Sequence, residues 1–240
     1  MKKTFKNYFA IYLIFIIALY SCKNKKTTTS EIEIQEENSD VIKAVCIWDK
    51  ISVRETPSKD GKWLTSLNLG EKCNYLNETK EVNEGNKIVK YLKVELQDGK
   101  TGWVQSDFIV IDGVPGVIIN DAPVYNRPDL LTKTDKIFSK FDIVGVAKSQ
   151  QDFYEVHGKR KNGKWIESGW VKKSNVSLSD ADIVLAKFAS KALSIEDPIK
   201  RKKAIKEILD NPDFTYSIFF EDLRKELVGE SVEDSSNFEE

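Results

Sequence analysis

Residues 91–104 decide the fold of this chain, and they read Tyr-Leu-Lys-Val-Glu-Leu-Gln-Asp-Gly-Lys-Thr-Gly-Trp-Val. From Tyr91 to Leu96 every second residue is aliphatic, which is the period of a half-buried β-strand. Asp98-Gly99 follows, and both residue types tolerate the positive φ angles of a tight hairpin turn. Gly102-Trp103-Val104 then begins a return strand. The stretch therefore predicts a β-hairpin.

The same pattern occurs again later in the chain. Residues 153–156 read Phe-Tyr-Glu-Val and lead through Asn162-Gly163 to Gly-Trp-Val at residues 169–171. Around the first copy, strand-like runs lie at residues 45–48, 52–54, 63–67 and 73–76, and a polar loop is predicted over residues 78–87. Short strands separated by Gly, Pro and Asn are typical of small closed barrels. We therefore expect two small β domains, at residues 41–112 and 113–177.

Residues 45–110 contain an ordered set of short motifs. They are Val-Arg-Glu-Thr-Pro at 53–57, Leu-Asn-Leu-Gly-Glu at 67–71, Tyr-Leu-Lys-Val at 91–94, Asp-Gly-Lys-Thr-Gly-Trp-Val at 98–104 and Phe-Ile at 108–109. In this order the motifs resemble a bacterial SH3 domain. The resemblance implies a mainly β protein with two tandem SH3-like small β-barrels, of which the second is a degenerate copy.

The second copy departs from the first at three places. Asn120 stands where the first copy has Arg54, Phe141-Asp142 replaces Gly70-Glu71, and a basic tip is inserted at residues 159–165. These departures keep the expectation of the fold and leave open whether the two copies share a ligand site.

The residues after Ser177 predict a small α-helical C-terminal region at 178–229, because the apolar spacing changes there from two to three and four. Ser179 with Asp182 resembles an N-terminal cap, and Asp197-Pro198 opens a second helix. A third helix is predicted over residues 216–228, ended by Gly229. The acidic tail at 230–240 is predicted to be disordered.

The first 22 residues have the features of an export signal that ends at a cysteine. Residues 1–7 are basic, and the uncharged apolar run at 8–20 is shorter than the ~20 residues of a spanning helix. Residues 1–21 are therefore interpreted as a secretory signal, with a short signal anchor as the alternative. Leu-Tyr-Ser-Cys at 19–22 resembles a bacterial lipobox, which implies lipidation of Cys22; otherwise Cys22 only happens to follow the signal. Residues 22–40 are predicted to be a disordered acidic tether.

Two further cysteines, Cys46 and Cys73, lie in predicted strands of the first barrel. In an oxidising compartment they are a candidate disulfide, which could add about 3 kcal/mol to stability. The alternative is two buried thiols that act as small hydrophobic side chains.

Composition and residue types argue against several classes of function. A formal net charge of −1 over 240 residues offers no general attraction to nucleic acid. His157 is the single histidine, so a zinc site or a Cys-His dyad would lack partners, and a solvated or packed histidine is expected instead. The helical region is too short to form a substrate cleft for a hydrolase that uses carboxylates. We therefore expect no enzyme, no cofactor and no metal.

Aromatic and basic residues are the candidate ligand contacts. The candidates are Trp48, Tyr75, Tyr91, Trp103, Lys159, Arg160 and Trp165. Aromatic residues can line a groove for an extended peptide, but they also fill small barrels, and barrel packing is the favoured role of Trp103. Trp165 lies among cations at the inserted tip, where it could contact an anionic glycan, a phospholipid or an acidic peptide; a solvated run of charges is the alternative.

The resemblances together imply a non-catalytic lipoprotein of the bacterial cell envelope, held in a periplasmic or outer membrane by its lipid. Its SH3-like domains are expected to bind peptidoglycan peptides or an envelope protein partner. One alternative is a structural or assembly adaptor that acts through its helices, which an exposed apolar patch around Phe219 and Phe220 would favour. Another is an accessory of a carboxylate-dependent cell-wall hydrolase.

Overall fold

The computed structural model of the protein describes residues 41–236, which form two antiparallel sheets of seven strands each, followed by three α-helices. The fold is therefore mainly β, as predicted. The predictions for the signal, Cys22 and the tether fall on residues 1–40 and lie outside the described residues. No helix of the described part of the chain is long and apolar enough to cross a membrane.

The first sheet contains β1 to β7 and is curled around an apolar core. Its strands are β1 Ile42–Cys46, β2 Ile51–Arg54, β3 Trp63–Leu67, β4 Lys72–Glu84, β5 Lys87–Glu95, β6 Thr101–Gln105 and β7 Ile109–Ile111. They are arranged in the order β3-β2-β6-β5-β4-β1-β7. The core includes Val53, Leu67, Leu92, Val94 and Val104, each of which is buried. The alternation of apolar residues seen in the sequence thus points one face of each strand inward.

The predicted hairpin is present as β5 and β6. Tyr91 lies opposite Gln105 and Glu95 lies opposite Thr101, and Gly99 in the turn has a φ of +78°. The prediction of a polar loop over residues 78–87 is wrong. β4 continues through it to Glu84, pairs Val82 with Val89, and turns at residues 85 and 86. The hairpin extends beyond the barrel core, so both of its faces are exposed to solvent. Charged residues therefore occur on both faces, and the sequence lacks the alternation of apolar residues that would indicate a strand.

The second sheet contains β8 to β14 and repeats the strand order of the first. Its strands are β8 Val114–Ile118, β9 Ala122–Tyr125, β10 Lys133–Phe138, β11 Ile143–Gln150, β12 Phe153–Lys159, β13 Ile166–Lys172 and β14 Val176–Ser177. Their order is β10-β9-β13-β12-β11-β8-β14. Each position in this order is occupied by the strand seven places later in the chain, so the two sheets share one topology.

The C-terminal helices are α1 Asp180–Leu193, α2 Pro198–Leu209 and α3 Phe220–Ser236. α2 begins at Pro198, as predicted, and Asp197 caps it by accepting hydrogen bonds from the N–H groups of Ile199 and Lys200. The predicted third helix begins later and ends later than expected. Gly229 does not end it, because a glycine inside a helix costs only about 1 kcal/mol, and residues 230–236 of the predicted tail continue the helix.

Asp182 does not form the predicted cap at the start of α1. The side chain of Ser179 makes no capping hydrogen bond there. The carboxylate of Asp182 is buried, and it accepts hydrogen bonds from the hydroxyl groups of Ser177 and Ser217 and from the N–H of Ile218. Asp182 therefore ties α1 to β14 and to the segment that leads into α3.

Two apolar contacts join these parts into one body. The helices pack on the second sheet through a core that includes Val117 and Ile143. Val45, Ile47 and Val110 of the first barrel form a separate buried cluster, against which Ala147 and Ile166 of the second barrel pack. The two barrels and α1 therefore meet at one junction.

Candidate functional site

A groove of about 800 Å³ opens where the two barrels meet α1. The first barrel contributes Ile47, Trp48, Asp49 and Leu69, the second contributes Phe141, Asp142, Ile143 and Lys159, and α1 contributes Val184, Lys187, Phe188, Ser190 and Lys191 together with Ser194 just beyond its end. Three regions distant in the sequence thus form one concavity.

Trp48 and Lys159 join the two barrels at this groove. Trp48 follows β1, is half-buried, and holds its ring 5.9 Å from the ring of Phe108. Lys159 is the last residue of β12, and its Nζ lies 5.2 Å from the centre of the Trp48 ring. This distance is within the range of a cation–π contact. Lys159, a predicted site residue, therefore reaches Trp48 and not the tip to which the sequence assigned it.

One face of α1 forms the opposite side of the groove. Val184, Lys187, Phe188 and Lys191 recur at helical spacing and all line it. The side chain of Phe188 is 51% exposed, although its ring lies 5.6 Å from that of Phe214. Val184 and Phe188 thus belong to the apolar spacing of the helix, but the structure leaves both side chains open to the groove.

The carboxylates that line the groove differ in their surroundings. Asp49 is exposed. Asp142 is half-buried, and its carboxylate accepts hydrogen bonds from the N–H groups of Ser139 at 2.8 Å and Lys161 at 3.2 Å. Burial raises the pKa of Asp142, and these hydrogen bonds only partly oppose that effect. The Asp142 carboxylate therefore stabilises the turn between β10 and β11.

Tyr75, Tyr91 and Trp103 lie outside the groove, in the first barrel. Trp103 is 7% exposed, which confirms barrel packing. The hydroxyl of Tyr91 donates a hydrogen bond of 2.7 Å to Glu84, and burial raises the pKa of Tyr91. The hydroxyl of Tyr75 is hydrogen-bonded to Thr79 at 2.7 Å. All three side chains serve the barrel and its extended hairpin.

The inserted tip of the second barrel does not assemble the expected ring of cations. Trp165 is 76% exposed there. Arg160, however, forms an ion pair of 2.7 Å with Glu167, and Lys159 turns toward Trp48. Lys161 and Lys164 are the cations left at the tip.

Cys46 and Cys73 are free, buried thiols in the structure. The residue directly opposite Cys73 is Ala44, so Cys46 occupies a diagonal position two residues further along β1. Diagonal partners are about 7–8 Å apart, beyond the usual span of a disulfide. The thiol of Cys46 instead donates to the carbonyl oxygen of Trp48 at 3.1 Å. Burial raises the pKa of Cys46 to about 11 and that of Cys73 to about 12.

Two further expectations concern catalysis and docking. His157 is half-buried, and burial lowers its pKa. Among the side chains that the structure describes, no group of three or more His, Cys, Asp or Glu is placed to hold a metal ion. Phe219 is 1% exposed and packs its ring 4.9 Å from that of Phe141, so the apolar patch that would favour a helical adaptor does not include it.

Sequence reasoning missed Phe141, Lys187 and Phe188 as parts of a site. Phe141 has a φ of +71°, close to the +75° of Gly70 at the position matched to it in the first barrel. An aromatic residue in the left-handed region is an outlier, which the replacement of Gly70 by Phe141 could have signalled. The α1 residues carry no such signal, because their pattern is that of an ordinary amphipathic helix.

Comparison with known proteins identifies the first barrel. Residues 49–110 match the family model of the bacterial SH3 domain. No curated protein sequence matches the chain significantly. Two solved structures from Trichomonas vaginalis are similar at 10% identity. NlpC2 has a TM-score of 0.24 with 70% of this chain and 56% of that chain covered, and NlpC1 has a TM-score of 0.23 with 63% and 53%. This chain thus spans little more than half of either.

Proposed function

We propose that this protein is a non-catalytic, lipid-anchored component of the bacterial cell envelope that binds peptide parts of the cell wall. The match of residues 49–110 to the bacterial SH3 domain carries the proposal, because domains of this family commonly bind cell-wall components. The second sheet has the same strand order, which supports its interpretation as a second, divergent SH3-like barrel.

The envelope location rests on the N-terminal sequence. The apolar run at residues 8–20 ends at Leu-Tyr-Ser-Cys, where Cys22 would receive the lipid. Two or three acyl chains hold a protein at a membrane far better than one. Cys22→Ser is expected to abolish incorporation of a labelled fatty acid and to release the protein from the membrane fraction. Retention of the label in this variant would refute the anchor.

A non-catalytic role is the part of the proposal that most needs a direct test. Asp49 and Asp142 both line the groove, and a pair of carboxylates is what a glycoside hydrolase requires. Asp142 is engaged by two backbone N–H groups, which supports a structural role for it. Incubation with purified sacculi is expected to release no soluble fragments above a buffer control. Release that is lost in Asp142→Asn would establish a hydrolase instead.

Binding itself is tested by co-sedimentation of the purified full-length protein, kept in detergent, with peptidoglycan sacculi. The expected result is saturable binding that persists when the salt concentration is raised to a physiological level. Sedimentation no greater than that of the protein without sacculi would refute wall binding.

A further inference from the structure

We infer that the groove between the two barrels and α1 is one composite site for a short wall peptide that bears free carboxylates. The second barrel then serves as one wall of this site and not as an independent binder. The inference rests on the proposed function and adds the place of binding and the chemistry of the ligand.

The size of the groove favours a short peptide. At about 800 Å³ it lies within the roughly 300–1,000 Å³ of sites that hold small ligands. A folded protein partner needs a broad surface, of about 800 Å² on each side. A concavity of this size accommodates a few residues of an extended chain, which is the size of a wall stem peptide.

The charge of the groove favours carboxylates. Lys159, Lys187 and Lys191 line it, and none of them forms an ion pair with a carboxylate of the described residues. Asp142 is engaged by the N–H groups of Ser139 and Lys161, so its carboxylate is directed to the backbone. Lys159 lies against the Trp48 ring, and the exposed Asp49 is the other carboxylate of the groove. Three ammonium groups beside it leave the groove with an excess of positive charge, which attracts anionic groups of a ligand.

The apolar part of the groove favours a peptide over a simple anion. Trp48, Phe141 and Phe188 present aromatic surface to it. Phe141 keeps a φ of +71°, where the first barrel has Gly70. A bulky residue in the left-handed region costs roughly 1–2 kcal/mol and persists only where its surroundings hold it. Here its ring packs against Phe219 and also lines the groove. Aliphatic side chains of a stem peptide would cover these rings.

The site is composite because its floor is shared. The Trp48 ring comes from the first barrel, and the Lys159 ammonium group 5.2 Å from its centre comes from the second. A ligand carboxylate that pairs with Lys159 is thereby brought close to the indole. One site for each chain, and hence a stoichiometry of one peptide to one protein, follows from this arrangement.

The test is a calorimetric titration of the full-length protein with the synthetic stem tetrapeptide N-acetyl-L-Ala-γ-D-Glu-meso-diaminopimelyl-D-Ala, whose carboxylates outnumber its amines, and with its analogue in which the carboxylates are amidated. The double variant Lys187→Glu/Lys191→Glu reverses two charges on the exposed groove side of α1. Lys203→Glu/Lys225→Glu reverses two exposed charges on α2 and α3 and serves as the matched control. Thermal melts verify that both variants are folded.

The expected result is one-to-one binding of the tetrapeptide that is weakened about tenfold or more by the groove reversal, unchanged by the control, and weakened to a similar extent by amidation. Equal weakening in both variants would show attraction to charge alone and would overturn the site. So would wild-type affinity in the groove variant.

Sacculi binding measured in parallel separates the two proposals. Wild-type protein that binds sacculi but not the tetrapeptide overturns the inferred ligand and leaves wall binding intact. Wild-type protein that binds neither refutes the proposed function, and the inference falls with it.

Discussion

Gly145 lies at the contact between the two barrels. Replacing it by alanine should lower the free energy of unfolding of the protein. A Cβ placed at Gly145 would lie 2.8 Å from the Cγ2 atoms of Ile47 and Val110 and 3.1 Å from Cγ1 of Val45. Carbon atoms prefer separations of about 3.5–4.0 Å. All three neighbours are buried, so they have little room to move away.

The expected cost follows from overpacking. Forcing one extra methyl group into a close-packed core costs about 1–3 kcal/mol. In a body of this size, each kcal/mol lowers the melting temperature by about 2–4 °C. The Gly145→Ala variant is therefore expected to melt about 2–12 °C below the wild type. Because β11 also carries Ile143, which lines the groove, affinity for the proposed wall peptide should fall as well.

Gly163→Ala is the matched control, because Gly163 also lacks a positive φ and a Cβ there would meet nothing closer than 3.3 Å. It should change the melting temperature by little. A double-mutant cycle with Val110→Ala tests the cause, since removing one of the clashing methyl groups should make the two changes less than additive by about 0.5 kcal/mol or more. Full additivity, or a Gly145→Ala variant as stable as the wild type, would refute this account of the junction.

Four further predictions concern single side chains. Cys46 and Cys73 should resist alkylation by iodoacetamide at pH 8 until the protein unfolds, because burial raises their pKa values from 9.0 to about 11 and about 12. Above about pH 9 the thiols of the unfolded chain lose protons that the folded protein keeps. The free energy of unfolding measured with urea should therefore fall as the pH rises above about 9. Asp182→Ala removes a buried acceptor of three hydrogen bonds and should cost roughly 2–4 kcal/mol in urea unfolding, whereas the asparagine variant should lose less. Phe141→Gly should be more stable than Phe141→Ala by about 1 kcal/mol in the same assay, which reverses the usual order because the φ of +71° suits glycine. Trp165→Ala should leave both stability and sedimentation with sacculi unchanged; lost sedimentation would restore the tip as the binding site.

The strands that could be predicted are those with turn-forming residues at their ends and an alternation of apolar residues that matches the face packed on the core. Asp98-Gly99 fixes a turn, and the residues before it alternate because one face packs on the core, so the β5–β6 hairpin follows from the sequence. The sequence does not reveal β4 between Glu78 and Glu84, because that part of the hairpin lies beyond the core and charged residues cover both of its faces. Gly85, with a φ of +68° at its turn, was the available signal.

The groove could not be predicted in the same way, because packing between distant segments creates it. Trp48 and Lys159 were both named as candidates from the sequence, but for separate sites. Only the docking of the two barrels places them 5.2 Å apart. Phe188 belongs to an apolar stripe that any buried helix would show, and nothing in that stripe indicates that its side chain stays exposed to the groove. The period of apolar residues in a sequence indicates which face of a helix or strand is apolar. A site between domains also depends on which other segments pack against that face, and the period does not indicate this.

Two places where the second sheet departs from the first, Phe141 and Lys159, lie at the groove. Phe141 replaces a glycine at a left-handed position and brings an aromatic ring to the junction. Lys159 begins the inserted tip and reaches across to the first barrel. A copy that had merely decayed would lose favourable residues at scattered positions, whereas Phe141 accepts a strained backbone at one particular place. On the inference that the groove is one composite site, this is the pattern expected of duplication followed by specialisation. The first sheet matches the bacterial SH3 family model, and the second would supply one wall of the inferred site.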